Sequence, residues 1–189
     1  SIEYPFNGEC AILKNKEIAD SGNVSLSNIV KDVHLAIEYM INYSTKYLDI
    51  KKEDIYLCGH SAGAHLVCLE ILKEQQIKKG VFISMISDLE PISLSYLNEN
   101  LKLSENDIQS YSPIKHETLN TLSEDYQFLI INGKLETSEF RRQSQDFYDK
   151  CKKSQINCEY IELEEQGHLS ILLELFKMDG IITKYLLHH

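Results

Sequence analysis

The stretch Gly59-His60-Ser61-Ala62-Gly63 lies between a short apolar run, Ile55 to Cys58, and a longer one that starts at Ala64. The first run has the length of a strand and the second that of a helix, so the five residues between them must turn the chain within a few bonds. Glycines two positions either side of Ser61, with Ala62 nearly as small, suit a turn where a larger side chain would collide with a neighbouring strand or with the turn itself. A serine held this way lifts its hydroxyl above a parallel sheet, in the arrangement of a nucleophile elbow. The helix that follows directs free N–H groups and a positive dipole end toward the same spot, which makes the Ala62 N–H a candidate oxyanion donor.

The rest of the chain supplies a sheet for that turn. Ile2 and Tyr4 read as the end of a strand closed by Pro5, and Asn7 to Asn23 as a polar loop. With Ser25 or Ser27 as N-cap, a helix follows whose apolar residues Leu26, Ile29, Val30, Val33, Ala36, Ile37, Met40 and Ile41 recur at three- and four-residue steps. After the turn comes a helix from Ala62 to about Gln75. Val81 to Ile86 and Phe128 to Ile131 are continuous apolar runs, the pattern of parallel strands buried on both faces. Cys158 to Leu163 alternates as a strand nearer an edge does. Helices are expected from about Ser138 to Lys152 and from about Leu169 to Leu187, the last with Leu172, Leu173, Leu175, Phe176, Ile181 and Ile182 inward. The expectation is one α/β domain over residues 1–189, with right-handed crossovers, helices on both faces, and a cap-like excursion at about 91–125.

Composition excludes several functions. A net charge of −10 repels nucleic-acid backbones and anionic membranes, so neither is expected as a partner. There is no apolar run of the roughly 18 residues that a membrane span needs, and no basic-then-apolar leader, so a cytoplasmic protein is expected. The five cysteines, Cys10, Cys58, Cys68, Cys151 and Cys158, form no zinc-knuckle spacing and read as reduced, mostly core residues. His60 and His65 are five apart across the turn with no ligand cluster, so packing rather than metal binding is expected of them. No metal and no cofactor are expected. His34 and His116 read as isolated and solvated.

A serine hydroxyl needs a general base, and the base needs an orienting carboxylate. In an open α/β sheet these groups come from the carboxyl ends of strands. Ser61 follows one strand, Glu136 the strand at Phe128, and His168 the strand at Cys158, giving the chain order serine, acid, histidine. Glu139, Asp88 and Asp125 are alternatives for the acid.

The chain resembles the α/β-hydrolases of the esterase and lipase group, and locally the kynurenine formamidases. Asp54 to Leu66 is similar to their elbow and Ile86-Ser87-Asp88-Leu89-Glu90-Pro91-Ile92 to the segment after their next strand. Leu103 to Asp107 and Tyr111 to Ile114 resemble their cap, and Glu136 to Ser144 their acid loop and following helix. The resemblance implies hydrolysis of an aryl formamide such as N-formylkynurenine, in tryptophan catabolism, by Ser61, His168 and Glu136, with a small-molecule carboxylesterase or a non-catalytic binding module as alternatives. A small-molecule substrate is the expected partner; His60, Tyr96 and Tyr111 are substrate-pocket candidates. The oligomeric state is open, a homodimer included. Two departures stand out: the family's acid is usually aspartate, and its His-Gly-Gly oxyanion loop is not in this sequence. The expectation is an α/β-hydrolase-like sheet lacking the first strands of the fold.

Overall fold

The computed structural model describes residues 25–188. The readings for Ile2 to Pro5, for Asn7 to Asn23 and for Cys10 lie outside them. The chain enters at helix α1, Leu26–Tyr47, where the Ser25 hydroxyl accepts from the Asn28 N–H at 3.3 Å. Of the predicted apolar face, Ile29, Val33, Ile37 and Ile41 are buried, one turn apart, and pack with Leu66 and Ile77. Met40 is half exposed.

Strand β1, Tyr56–His60, leads to helix α2, Ala62–Glu74, and then to strand β2, Lys79–Ile83. Three short helices follow, α3 at Glu90–Ser93, α4 at Asn98–Leu101 and α5 at Glu105–Tyr111, with 3-10 turns at Pro113–Lys115 and Glu117–Asn120. Strand β3, Gln127–Gly133, helix α6, Ser138–Lys153, strand β4, Asn157–Leu163, a 3-10 stretch Ser170–Phe176 and helix α7, Ile181–His188, complete the described chain. The four strands are all parallel, in the order β1-β2-β3-β4, with Cys58 opposite Val81, Val81 opposite Leu129 and Leu129 opposite Glu159.

Alternation along the central strands divides the core into two layers. Phe82, Phe128 and Ile130 face α2 and α6, where Phe82 meets Phe128 and Phe147 edge-on. Val81, Ile83, Leu129 and Ile131 face Ile171 and Ile182 on the other side. Both faces of β2 and β3 are therefore covered, which explains their unbroken apolar runs.

Three expectations need correction. β2 ends at Ile83, not Ile86, because Ser84 takes a left-handed φ of 50° while its N–H still donates to Ile131 at 2.8 Å. The final helix is two pieces: the chain turns at Gly180, where a Cβ would lie 2.2 Å from the Glu174 carbonyl. Ile171 and Ile182 carry the inner face, while Leu173 and Phe176 are exposed. Cys58, expected in the core, is exposed on the outermost described strand; Cys68, Cys151 and Cys158 are buried free thiols.

His34 and His116 are not isolated in solvent either. His34 Nδ1–H donates to both oxygens of Glu70 on α2, at 3.0 and 3.3 Å, and His116 is half buried with its Nδ1 closed off from solvent. Among the described residues no helix is long and apolar enough to cross a membrane, and no three His, Cys, Asp or Glu side chains cluster as metal ligands would.

Candidate active site

Ser61 occupies the turn between β1 and α2 with φ 55° and ψ −120°, a conformation L residues rarely hold and one found where surrounding structure forces it. The forces are visible. The Ser61 N–H donates to the Ile83 carbonyl at 2.9 Å, which ties the turn to β2. A Cβ on Gly59 would sit 2.4 Å from the Gly63 carbonyl, so only glycine lets the strand pass this close to the helix. Gly63 differs from expectation: a Cβ there meets nothing within 4 Å among the described residues.

Beyond the ends of β3 and β4 stand Glu136 and His168. Gly133 closes β3, and a Cβ there would lie 2.2 Å from the carbonyl of Gln166, so its bareness lets the loop after β4 cross the sheet top and carry His168 in. Glu136 lies in the turn after β3 with its side chain fully buried, the whole residue 8% exposed. Its Oε1 accepts from the Ser84 hydroxyl at 2.6 Å and from the Gly133 N–H at 2.8 Å, and its Oε2 accepts from His168 Nδ1–H at 2.7 Å. That bond fixes the tautomer, leaving Nε2 to accept from the Ser61 hydroxyl at 3.0 Å.

The rival carboxylates are engaged elsewhere. Arg142 holds Glu139 at 2.7 and 2.9 Å and keeps it below the usual carboxylate range; Asp88 faces the Glu90 N–H and Lys115; Asp125 pairs with Lys78. Ser84 is the residue that sequence reasoning passed over. Its signal was a lone hydroxyl inside an apolar run.

His168 is held between two rings, His60 at 4.6 Å and Phe140 at 4.4 Å between centroids. His60 Nε2–H also donates to the His168 carbonyl at 2.7 Å, and burial lowers the imidazole below its ordinary value. His60 thus braces the histidine instead of lining the pocket. The aromatic pocket candidates fare differently from expectation: Tyr96 is 78% exposed and Tyr111 lies under the Lys73 ammonium, and neither lines the cavity. Phe140 does.

That cavity, about 550 Å³, opens in front of Ser61 and His168, with Ala62 in its wall as the first residue of α2. Its apolar wall comes from α1 through Ile29, from Leu89 after β2, from the excursion through Ile92, Leu101 and Leu103, and from α6 through Phe140. His65 also reaches it; burial lowers its pKa to about 4, against the partly opposing bond by which its Nε2–H donates to the Tyr111 carbonyl at 2.6 Å.

Solved structures share this architecture. A thermostable carboxylesterase from a metagenomic library superposes with a TM-score of 0.66 over 86% of this chain and 61% of that one, at 16% identity. This chain has an α/β-hydrolase fold. The BD-FAE family model matches residues 17–84, which include the elbow. The hydrolase-fold chain is also similar to the kynurenine formamidase of Danio rerio, 29% identical over 95% of this chain and 62% of that protein. The kynurenine formamidase of Salmo salar is likewise 29% identical, over 99% of this chain and 64% of that protein. The chain spans less than two thirds of the length of these relatives.

Proposed function

We propose that this protein is a serine hydrolase that removes a small acyl group, formyl in particular, from an aryl amine, with N-formylkynurenine the substrate the relatives point to. The observation that supports it best is the unbroken relay from Ser61 Oγ to His168 Nε2 at 3.0 Å and from His168 Nδ1 to Glu136 Oε2 at 2.7 Å. Ser61 attacks the carbonyl carbon as His168 takes its proton. Glu136 stabilises the imidazolium that forms. The oxyanion develops beside the Ala62 N–H, at the positive end of α2. His168 then protonates the leaving amine, which departs. Water, deprotonated by the same histidine, releases the acid from Ser61. A formyl group yields formate.

A carboxylesterase reading shares every step and is favoured by the aliphatic lining of the cavity. Hydrolysis of N-formylkynurenine measured against that of short p-nitrophenyl esters separates the two. Ester turnover without formamide turnover rejects the formamidase. Ser61 unlabelled by a fluorophosphonate in the full-length protein rejects catalysis and leaves a binding module.

A further inference from the structure

The cavity in front of Ser61 presents an aliphatic wall with few polar atoms. Among the described residues, its lining adds to Ser61 and His168 only the side chains of His65 and Asn100 as polar groups. His65 is neutral above about pH 4 and already donates to the Tyr111 carbonyl, and Asn100 is an exposed residue on α4. A charged substituent entering this space would give up water without meeting an opposite charge among the described residues, which is costly for either sign. We infer that the cavity selects an uncharged aliphatic or aryl group flanking the scissile bond, so that charged substituents of a substrate remain at the mouth.

This rests on Ser61 being the nucleophile, and it makes a claim the nucleophile alone does not. An aryl formamide enters ring first, with any carboxylate or ammonium pointing outward. Net charge makes a different prediction. At −10 the protein repels anions and attracts cations, whereas an apolar wall disfavours both.

The test uses three fluorophosphonates of equal chain length, ending in methyl, carboxylate or trimethylammonium, whose fluoride Ser61 Oγ displaces as His168 takes the proton. The methyl-ended probe is expected to label the full-length protein roughly tenfold faster or more than either charged one. Fast labelling by the ammonium probe would mean that net charge decides, and equal rates for all three would overturn the selectivity; either result leaves the serine reading intact. Asn100→Lys, at an exposed position, is expected to narrow the gap for the carboxylate probe alone.

A second measurement is independent of the nucleophile. Binding of 4-phenylbutanol and of 4-phenylbutyrate to Ser61→Ala protein is compared by NMR. Preference for the alcohol supports the cavity assignment even if no probe reacts, an outcome that would reject only the serine mechanism. Equal binding of the two overturns the inference.

Discussion

The Ser84 hydroxyl donates to Glu136 Oε1 at 2.6 Å from a backbone that has turned left-handed, with φ at 50°. Strand β2 ends at Ile83, and the turn at Ser84 aims this donor at a buried carboxylate. A hydrogen bond to a buried charge contributes about 1.5–3 kcal/mol. Ser84→Ala and Ser84→Gly should therefore both lower kcat by roughly tenfold, with KM little changed. Glycine suits the φ and alanine does not, so Ser84→Gly should be the more stable of the two in denaturant titrations. Equal turnover by wild type and both variants would show that Gly133 N–H alone orients the acid.

Glu136→Gln keeps the volume and, in the proposed mechanism, removes the charge that would stabilise the imidazolium. It also permits the wrong imidazole tautomer. A fall in kcat of about a thousandfold or more is expected, with KM nearly constant, read from steady-state kinetics on the better of the formamide and ester substrates. A fall below tenfold would transfer the orienting role to another group. Glu139 and Asp88 are poor replacements, since each already faces a cation.

Ser61, the proposed nucleophile, also carries backbone strain. At φ 55° and ψ −120° a non-glycine residue costs on the order of 1–3 kcal/mol, offset in part by the greater chain entropy of glycine when unfolded. Ser61→Gly should abolish turnover, with residual activity below about a thousandth, and still raise unfolding stability by about 1 kcal/mol. Ser61→Ala should be equally inactive and gain no stability. A less stable glycine variant would mean that the hydroxyl, not the backbone, holds the turn.

Much of this site was legible in the sequence because its logic is local. Gly-His-Ser-Ala-Gly between two apolar runs marks a strand-to-helix turn, and polar residues just beyond buried strands mark the sheet's functional edge. Ser61, Glu136 and His168 lie at three such edges, and the structure brings them within hydrogen-bonding distance. What stayed hidden depends on packing between distant segments. Ser84 is a lone hydroxyl in an apolar run, and its partner lies 52 residues away. Nothing in the spacing of α6 marks Phe140 as a cavity residue, whereas Tyr96 and Tyr111 stand on the excursion. Whether a tyrosine faces inward there depends on how three short helices fold back, and periodicity over four to seven residues cannot encode that. The break at Gly180 likewise reflects its close approach to the Glu174 carbonyl.

The ion pair between α1 and α2 gives a pH dependence of stability away from Ser61, Glu136 and His168. The Glu70 carboxylate, bonded through Nδ1–H at 3.0 Å, raises the pKa of His34. Burial raises Glu70 above the usual carboxylate range, and its bond to His34 only partly opposes this. Both shifts mean that the folded protein binds more protons than the unfolded chain, so each contributes stability that is lost as pH rises. The histidine contribution is fully present below its unfolded value near 6.5 and is lost as pH passes its raised folded value. Denaturant titrations from about pH 5 to 8 should show stability falling through that range, most steeply around and above neutrality. His34→Asn should flatten the upper part of the slope, and Glu70→Gln should flatten all of it while leaving Ser61 labelling unchanged. Since α1 carries Ile29 into the cavity wall, loosening this pair should be felt there as well, as weaker binding of 4-phenylbutanol at high pH in wild type and at every pH in His34→Asn. A wild-type stability curve that is flat across the window would show that the two helices hold together by Ile29, Val33, Ile37 and Leu66 alone.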